Sequence, residues 1–239
     1  MPKVSVNILT KNRAELLTKA LASIERQSFR DFEVLIINDG STDGTKTYLE
    51  NLKNIQAVHH PKSVGITQGR QEALEKSAGE YVAILDDDDE WIDADKLKKQ
   101  AEFLDKNPGY VLVGGGIVIS QNKTKLQPES DAEIRKTMLF KNNFFTSTVM
   151  FRKSSAIQAG GFVKDADDFA EDYDLWLRLG EIGKMYNFRQ AFANYRLPNY
   201  NKARYKGFLS KQISLIRREK NNYPNFWLAN FLLKLRTLL

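Results

Sequence analysis

The chain has 239 residues, 42% hydrophobic and 28% charged, which supplies a core for one large domain or two small ones and does not fit a disordered polymer. Its lack of cysteine excludes disulfides, thiolate metal sites and cysteine nucleophiles, and fits a reducing compartment. The net charge of +6 is unevenly placed: residues 202–239 hold nine Lys or Arg against Glu219 alone, whereas residues 1–201 hold 27 bases and 29 acids, so there is no continuous basic face for nucleic acid.

In chain order, residues 4–9 read as a strand and 14–26 as a helix, with Leu17, Leu21 and Ile24 at helical spacing. Residues 32–37 form a second strand, stopped by the turn-forming Asn38-Asp39-Gly40-Ser41. Asp43 is placed to cap a helix to about Leu52, and 55–58 is a short strand. A helix over 67–77 leads to a strand over 81–85, which runs into four aspartates. A helix over 93–104 and a strand over 110–119 complete this half. Alternating strands and helices predict an α/β fold with a mostly parallel sheet covered on both faces, and a ligand crevice outside the carboxyl ends of the strands.

From about residue 120 the rhythm changes. Residues 121–131 read as a polar loop, 146–151 as a strand, 154–159 as a short helix stopped by Gly160-Gly161, and 173–182 as a helix. A loop over 195–206 rich in Asn, Tyr and base precedes two helical segments, 207–221 and 224–239. The division expected is a domain over 1–201, with halves at 1–120 and 121–201, and a basic amphipathic tail over 202–239. The N-terminus is no signal peptide and no stretch reaches the ~20 apolar residues of a membrane span, so the expectation is a cytoplasmic protein, soluble or peripheral.

Two acidic segments carry the chemistry. The first, Asp86-Asp87-Asp88-Asp89, ends an apolar strand. Such a cluster is costly unless a cation compensates it, and Mg²⁺ or Mn²⁺ takes carboxylate and phosphate oxygens together. A solvated acidic turn, with Asp89 capping the next helix, is the plainer alternative. The second, Glu171-Asp172-Tyr173-Asp174, opens a helix, where an acid is ordinarily a cap favoured by the helix dipole.

Context adds a family resemblance. Val4-Ser5-Val6-Asn7-Ile8-Leu9-Thr10-Lys11-Asn12-Arg13, then Ile37 to Thr45, then Gly65 to Asp89, and finally Ala170 to Leu179 follow one another in order. The set resembles the inverting family 2 glycosyltransferases of the GT-A fold over roughly residues 3–195. The resemblance implies a nucleotide-diphosphate sugar donor, with uridine the family's commonest base, a glycan or lipid-linked acceptor, and a divalent metal, Mn²⁺ or Mg²⁺. It implies that Thr10 and Asn12 line the base pocket beside Arg13, that Asp39 hydrogen-bonds the base, and that Arg70 reaches toward base or diphosphate. Asp86 would face the ribose, Asp87 fill a variable position, and Asp88 hold the metal. Asp172 would be the general base, Glu171 would contact the acceptor, and Trp176 would form an acceptor wall, although a helix aromatic is ordinarily core. Gly160-Gly161-Phe162 matches a turn near the acceptor site, and is equally a helix stop.

Lys11, Asn38 and Leu9 depart from the family pattern without touching these positions. The loop from Tyr195 lacks the histidine many relatives carry, leaving Arg196, Lys202 or Arg204 to supply positive charge. His59 and His60, the two histidines of the chain, read as strand-end surface residues. A nucleotidyltransferase would need a Gly-rich, basic loop after the first strand, which Thr10 to Arg13 does not offer. A membrane-peripheral protein with an idle site is the remaining alternative. The tail's basic, apolar-faced helix fits either anionic lipid or packing on the domain or on the second subunit of a homodimer.

Overall fold

Apolar runs too short for helices form the first half of the sheet. In the computed structural model, which describes residues 1–120, 123–163, 170–196, 212, 215 and 222–238, β1 (Val4–Thr10), β2 (Phe32–Asn38), β3 (Gln56–His59) and β4 (Tyr81–Ile84) lie side by side in the order β3-β2-β1-β4, all parallel. Every residue of β1 but Leu9 is buried, as expected for a parallel strand covered on both faces. Along β4, Val82 and Ile84 enter one hydrophobic core while Tyr81, Ala83 and Leu85 enter another on the opposite face. α1 (Ala14–Glu25), α2 (Thr45–Glu50) and α3 (Ile66–Lys76) connect these strands.

Beyond β4 the sheet is mixed. β8 (Met150–Arg152) pairs antiparallel to β4, and β6 (Tyr110–Ser120), β9 (Lys184–Asn194) and β5 (Glu90–Trp91) follow, with β7 (Lys123–Lys125) on β6. Six of the nine described strands, β1 to β4, β6 and β9, run in one direction, so the mostly parallel sheet is present. α4 (Lys96–Lys106), α5 (Asp131–Met138), α6 (Lys153–Gln158), α7 (Glu171–Ile182) and α8 (Phe226–Leu238) complete the described elements.

The differences from the sequence pattern have local causes. Residues 146–151 divide into a 3-10 turn, Thr146–Thr148, and β8, because the turn's hydroxyls bond to groups a strand would not reach: Thr146 to Asp172, Ser147 to Asp89, and Thr148 to the Phe145 carbonyl. α5 begins at the end of the expected polar loop over 121–131 and covers residues to which the pattern assigned no element; Ser130 and Glu133 form a reciprocal capping box at its start. Asp43 acts one residue outside the cap position, accepting from the backbone N–H and hydroxyl of Thr45 at 2.9 and 2.5 Å. Asp89 caps no helix: α4 begins only at Lys96. The expected loop over 197–206, with Lys202 and Arg204, lies outside the described residues, as does nearly all of 207–221.

The Gly160-Gly161 stop is clamped from two sides. Both glycines have positive φ, +91° and +66°, and a Cβ on Gly161 would collide with the Gln71 side chain. Arg178 donates to the Ala159 carbonyl and, at 2.7 Å, to the Gly161 carbonyl, while pairing with the fully buried Asp174 at 2.5 Å. α8 packs one face, Phe226, Ala229 and Leu233, into the core shared with α7, and Tyr223 donates to the Leu177 carbonyl at 2.7 Å. Removing the Arg178 head group should take away the ion pair of the buried Asp174. Arg178→Met is expected to cost about 3–5 kcal/mol in chemical denaturation; a loss within experimental error would show that the clamp is not structural.

Candidate active site

The carboxyl ends of β1, β2 and β4 open on one edge of the sheet, and the 3-10 turn before the reversed β8 reaches the same edge. There they surround a cavity of about 710 Å³, a size suited to a drug-sized or nucleotide ligand. Thr10, Arg13, Asp39, Arg70, Asp86, Asp87, Asp88, Glu171 and Asp172 all line it. Asn12 and Trp176 do not.

Asn12 takes a left-handed φ of +55° and staples two loops: its N–H donates to the Ser41 hydroxyl at 2.9 Å and its side-chain oxygen accepts from the Thr42 N–H at 2.7 Å. It ties the end of β1 to the loop after β2 without lining the cavity. Trp176 is fully buried among Phe144 and Phe151, at ring separations of 6.4 and 5.6 Å. The acceptor-wall reading is therefore corrected: Trp176 is a core aromatic that supports Phe144, and Phe144 lines the cavity.

Asp39 is almost fully buried and accepts from the Ser63 hydroxyl at 2.5 Å, the Val64 and Gly65 N–H groups at 2.7 and 3.2 Å, and His60 Nδ1 at 3.1 Å. Burial opposes its charge, but these four hydrogen bonds hold the carboxyl below its ordinary value. His60 is thus no free surface residue. Its Nε2 meets Glu72 at 2.7 Å, so the imidazole bridges two acids from β2's end and α3. Burial opposes the imidazolium, and the Asp39 and Glu72 bonds raise the His60 pKa above its ordinary value. The adjacent Gly40, φ +71°, lets this loop close: a Cβ there would meet the Ser63 nitrogen at 2.5 Å.

The aspartate run is divided by function. Asp87 is buried and pairs with Arg13 at 2.7 Å; Asp88 is more exposed and meets the same guanidinium at 3.1 Å. Thr10 lies buried against Asp87, its hydroxyl without a partner in hydrogen-bonding geometry. Asp86 pairs with Arg70 at 2.9 Å. Asp89 is tied to the Ser147 hydroxyl and accepts from the Arg196 N–H at 2.8 Å, so it anchors the 3-10 turn and the segment after β9 to the end of β4. Burial, then Asp86, pushes Asp89 up to about 8. Burial also raises Asp86, with Arg70 opposing, and raises Asp87.

Arg70 connects the two acidic segments, since its other terminal nitrogen lies 2.9 Å from Glu171. Glu171 is buried, and burial pushes it up to about 7 against the pull of Arg70. Asp172 is presented differently. Its Oδ2 accepts from the Thr146 hydroxyl at 2.6 Å and the Asn142 amide at 3.3 Å, and its Oδ1 from the Tyr173 N–H at 2.6 Å. Its helix starts one residue earlier, at Glu171, with Ala170 in the cap position, so Asp172 is not the cap.

Four of the six carboxylates in the two segments, Asp86, Asp87, Asp88 and Glu171, therefore pair with two guanidiniums, while Asp89 and Asp172 are held by neutral donors. Among the described residues no group of three or more His, Asp or Glu forms a complete metal cage. A hard cation held by one or two carboxylates and completed by substrate phosphate oxygens fits this donor set, with Asp88 the more accessible ligand. Arg196 lines the cavity as expected from the missing histidine, whereas Lys202 and Arg204 lie outside the described residues. Thr146, Asn142, Ser147 and His60 are the site residues that sequence reasoning missed. Short polar side chains in a variable segment carry no pattern, although a histidine directly after a strand end was a usable signal for the last.

The sequence profile of Glycosyl transferase family 2 matches residues 5–163. The GalNAc(5)-diNAcBac-PP-undecaprenol beta-1,3-glucosyltransferase of Campylobacter jejuni is 30% identical over 210 residues, 82% of this chain and 65% of that protein, so the chain spans just under two thirds of that relative. The amylovoran biosynthesis glycosyltransferase AmsE of Erwinia amylovora is 26% identical, covering 91% of this chain and 85% of that one. Among solved structures, the mannosyltransferase PcManGT from Pyrobaculum calidifontis, in complex with GDP-Man and Mn²⁺, superposes with a TM-score of 0.74 at 20% identity over 100% of this chain and 70% of that one. The architecture is that of GT-A glycosyltransferases.

His60 offers a test of the nucleotide end. Because its folded pKa is raised above 6.5, its bridge contributes fully below that pH and is lost as pH rises through the folded value. His60→Gln should cost about 1–3 kcal/mol near pH 6 in urea unfolding, and the gap from wild type should narrow steadily toward pH 8.5. A gap independent of pH would assign His60 to packing alone.

Proposed function

The chain belongs to glycosyl transferase family 2, and from that premise we propose that it moves a sugar from a nucleotide-diphosphate donor to an acceptor hydroxyl by one inverting displacement. The observation that carries this reading is the meeting of Asp172 with Asp86, Asp87 and Asp88 around one cavity, from segments far apart in sequence.

The chain's own groups divide the work. The loop held by Asp39, His60 and Asn12 shapes the nucleotide end, with Thr10 at its floor. Asp39 already accepts four hydrogen bonds, so it would read the base where a base N–H displaces one of those donors. Arg70 holds Asp86 and Glu171 in place, so that Asp86 is set toward the ribose and Asp172 is kept beside the reacting centre. Thr146 and Asn142 fix one oxygen of Asp172 and leave the carboxylate set to receive the acceptor proton, which makes the hydroxyl nucleophilic. A divalent ion, Mn²⁺ or Mg²⁺, supplies neutralisation of the charge developing on the leaving diphosphate, with Asp88 as its protein ligand. A single base acting on the face away from the leaving group gives inversion at the anomeric carbon. A hydrolase with two carboxylates would need one protonated against the leaving oxygen; here a divalent ion held by Asp88 would supply that neutralisation instead.

The donor proposed is a uridine diphosphate sugar and the acceptor a glycan or lipid-linked sugar in cell-surface polysaccharide synthesis, in keeping with what the relatives' names say of them. Peripheral docking on the cytoplasmic face of a membrane follows from the tail. Among the described residues no helix is long and apolar enough to cross a membrane. Yet α8 exposes Trp227 at 71%, Phe231 at 59% and Leu235 at 43%, on the face away from its buried residues, within a segment of nine bases and one acid. Apolar area framed by basic charge suits an anionic lipid surface.

Asp172→Asn should abolish transfer while leaving Mn²⁺-supported nucleotide binding within about twofold of wild type; normal turnover would remove Asp172 as base. Asp88→Ala should lose at least tenfold of Mn²⁺-dependent nucleotide affinity by titration calorimetry, and an unchanged value would remove the ligand assignment. In flotation with phosphatidylglycerol vesicles, wild type should rise with the lipid, whereas the triple variant Trp227→Ser, Phe231→Ser, Leu235→Ser should stay behind. Equal behaviour, or self-association of wild type without lipid, would overturn the membrane reading.

A further inference from the structure

A separate stretch of the cavity lining, from β7 to the turn before β8, is positive. Lys125 and Lys141 both line the cavity, and so do Gln127, Asn142, Phe145 and Tyr195. Lys141 Nζ donates to Gln127 Oε1 at 3.1 Å, and Lys125 Nζ lies 5.4 Å from the Phe145 ring centre. Neither ammonium has a carboxylate at ion-pair distance among the described residues, in contrast to Arg13 and Arg70, which are paired with Asp86, Asp87, Asp88 and Glu171. Both lysines are exposed; desolvation against the wall and then the nearby Lys125 charge lower the Lys141 pKa. Two cations held on one wall without a counter-charge are stabilised by an anion placed between them.

The position of the pair says which substrate supplies that anion. Lys141 adjoins Asn142, and Asn142 and Thr146 are the side chains that fix Oδ2 of Asp172. Lys141 therefore belongs to the segment that positions Asp172, and Lys125 reaches that segment from β7 over the Phe145 ring, whereas the proposed nucleotide end is built from β1, β2 and the loop around Asp39. We propose that Lys125 and Lys141, with Gln127, form an anion subsite for the acceptor, taking a carboxylate or phosphate group on the sugar whose hydroxyl faces Asp172. Phe145 and Tyr195, with ring centres 6.2 Å apart, give the apolar wall against which that sugar lies. The proposal rests on the glycosyltransferase reading and adds to it the charge of the acceptor. An acidic glycan and a sugar phosphate share this chemistry, and the test separates them.

Calorimetric titration of the protein loaded with UDP and Mn²⁺ would use three probes: methyl β-D-glucoside, methyl β-D-glucuronide and glucose 1-phosphate. At least one anionic probe is expected to bind about tenfold tighter than the neutral glucoside, as for one charge-assisted contact. The stronger of the two identifies carboxylate or phosphate as the recognised group. In the double variant Lys125→Gln, Lys141→Gln the preference should disappear while UDP affinity stays within about twofold of wild type. Equal binding of neutral and anionic probes to wild type, or a preference that survives in the double variant, would overturn the subsite. A large loss of UDP affinity in the double variant would also overturn it, by assigning the lysines to the donor. If wild type takes no nucleotide, the glycosyltransferase reading fails instead, and the same three probes are titrated into the unloaded protein. There, an anionic preference that the double variant loses supports the subsite, and equal binding overturns it.

Discussion

Arg70 stands between two acidic segments that electrostatics would otherwise drive apart. Its guanidinium is 2.9 Å from Asp86 on one side and 2.9 Å from Glu171 on the other. The planar, delocalised head group can face two carboxylates at once, which the compact ammonium of a lysine does less well. Even so, Asp86, Asp87, Asp88, Asp89, Glu171 and Asp172 outnumber Arg70 and Arg13. The strain shows in the acids: burial first of all pushes Asp89 up to about 8 and Glu171 up to about 7. A cluster in which acids outnumber the arginines that pair them favours an added cation, and that is the electrostatic ground for a divalent metal here.

One reversal in the sheet brings the rest of the site to this cluster. The strands β1, β2 and β4 end at the cavity edge in the ordinary way of parallel sheets. β8 runs against β4, so the residues before it, and not those after it, arrive at that edge. Those residues are Thr146 and Ser147, which hold Asp172 and Asp89 respectively. A parallel strand in the same slot would have delivered Arg152 there, and Asp172 would have lost its closest side-chain partner. The Asp89 tie has a similar reach, since the segment after β9 is fastened to it through the Arg196 N–H.

Much of this was legible in the sequence, and the exceptions share a cause. Buried parallel strands announce themselves because they are apolar without alternation, so β1, β2 and β4 were readable to within a residue or two. The strand-end carboxylates were readable because acids rarely follow such runs without a reason. The capping box of Ser130 and Glu133 was also written in the sequence, although the surrounding polar residues masked it as loop. Trp176 shows the limit of transferring a role by spacing: four residues from Asp172 it lies one turn on, but its side chain points into the core. The strand-end position of Asp39 was visible while its environment was not, because His60, Ser63 and Val64 reach it only once β2, β3 and α3 are packed. Thr146 and Asn142 were invisible for the same reason. Their value lies in which carboxylate they meet, and no local pattern encodes a contact across the fold.

Positive charge in this protein is sorted by physical setting, and the sorting bears on specificity. Arg13 and Arg70 are paired and hold acids in place, so neutralising either would expose carboxylates to one another before it weakened any ligand contact. Lys125 and Lys141 are unpaired among the described residues, so their charge is available to whatever enters the cavity. The nine bases of residues 202–239 are gathered in one segment of the sequence, against a single acid. A total of +6 therefore conceals an acidic chemical centre, a small basic wall beside the base, and a basic segment that carries an exposed apolar helix face. Lys11 and Arg196 are the other bases of the lining that no described carboxylate pairs, so an anionic acceptor whose hydroxyl meets Asp172 would be drawn to the lysines on the adjoining wall. The repulsion matters as much as the attraction: carboxylates elsewhere in the lining would disfavour the reversed placement, with the acceptor's charge beside Asp86, Asp87 and Asp88.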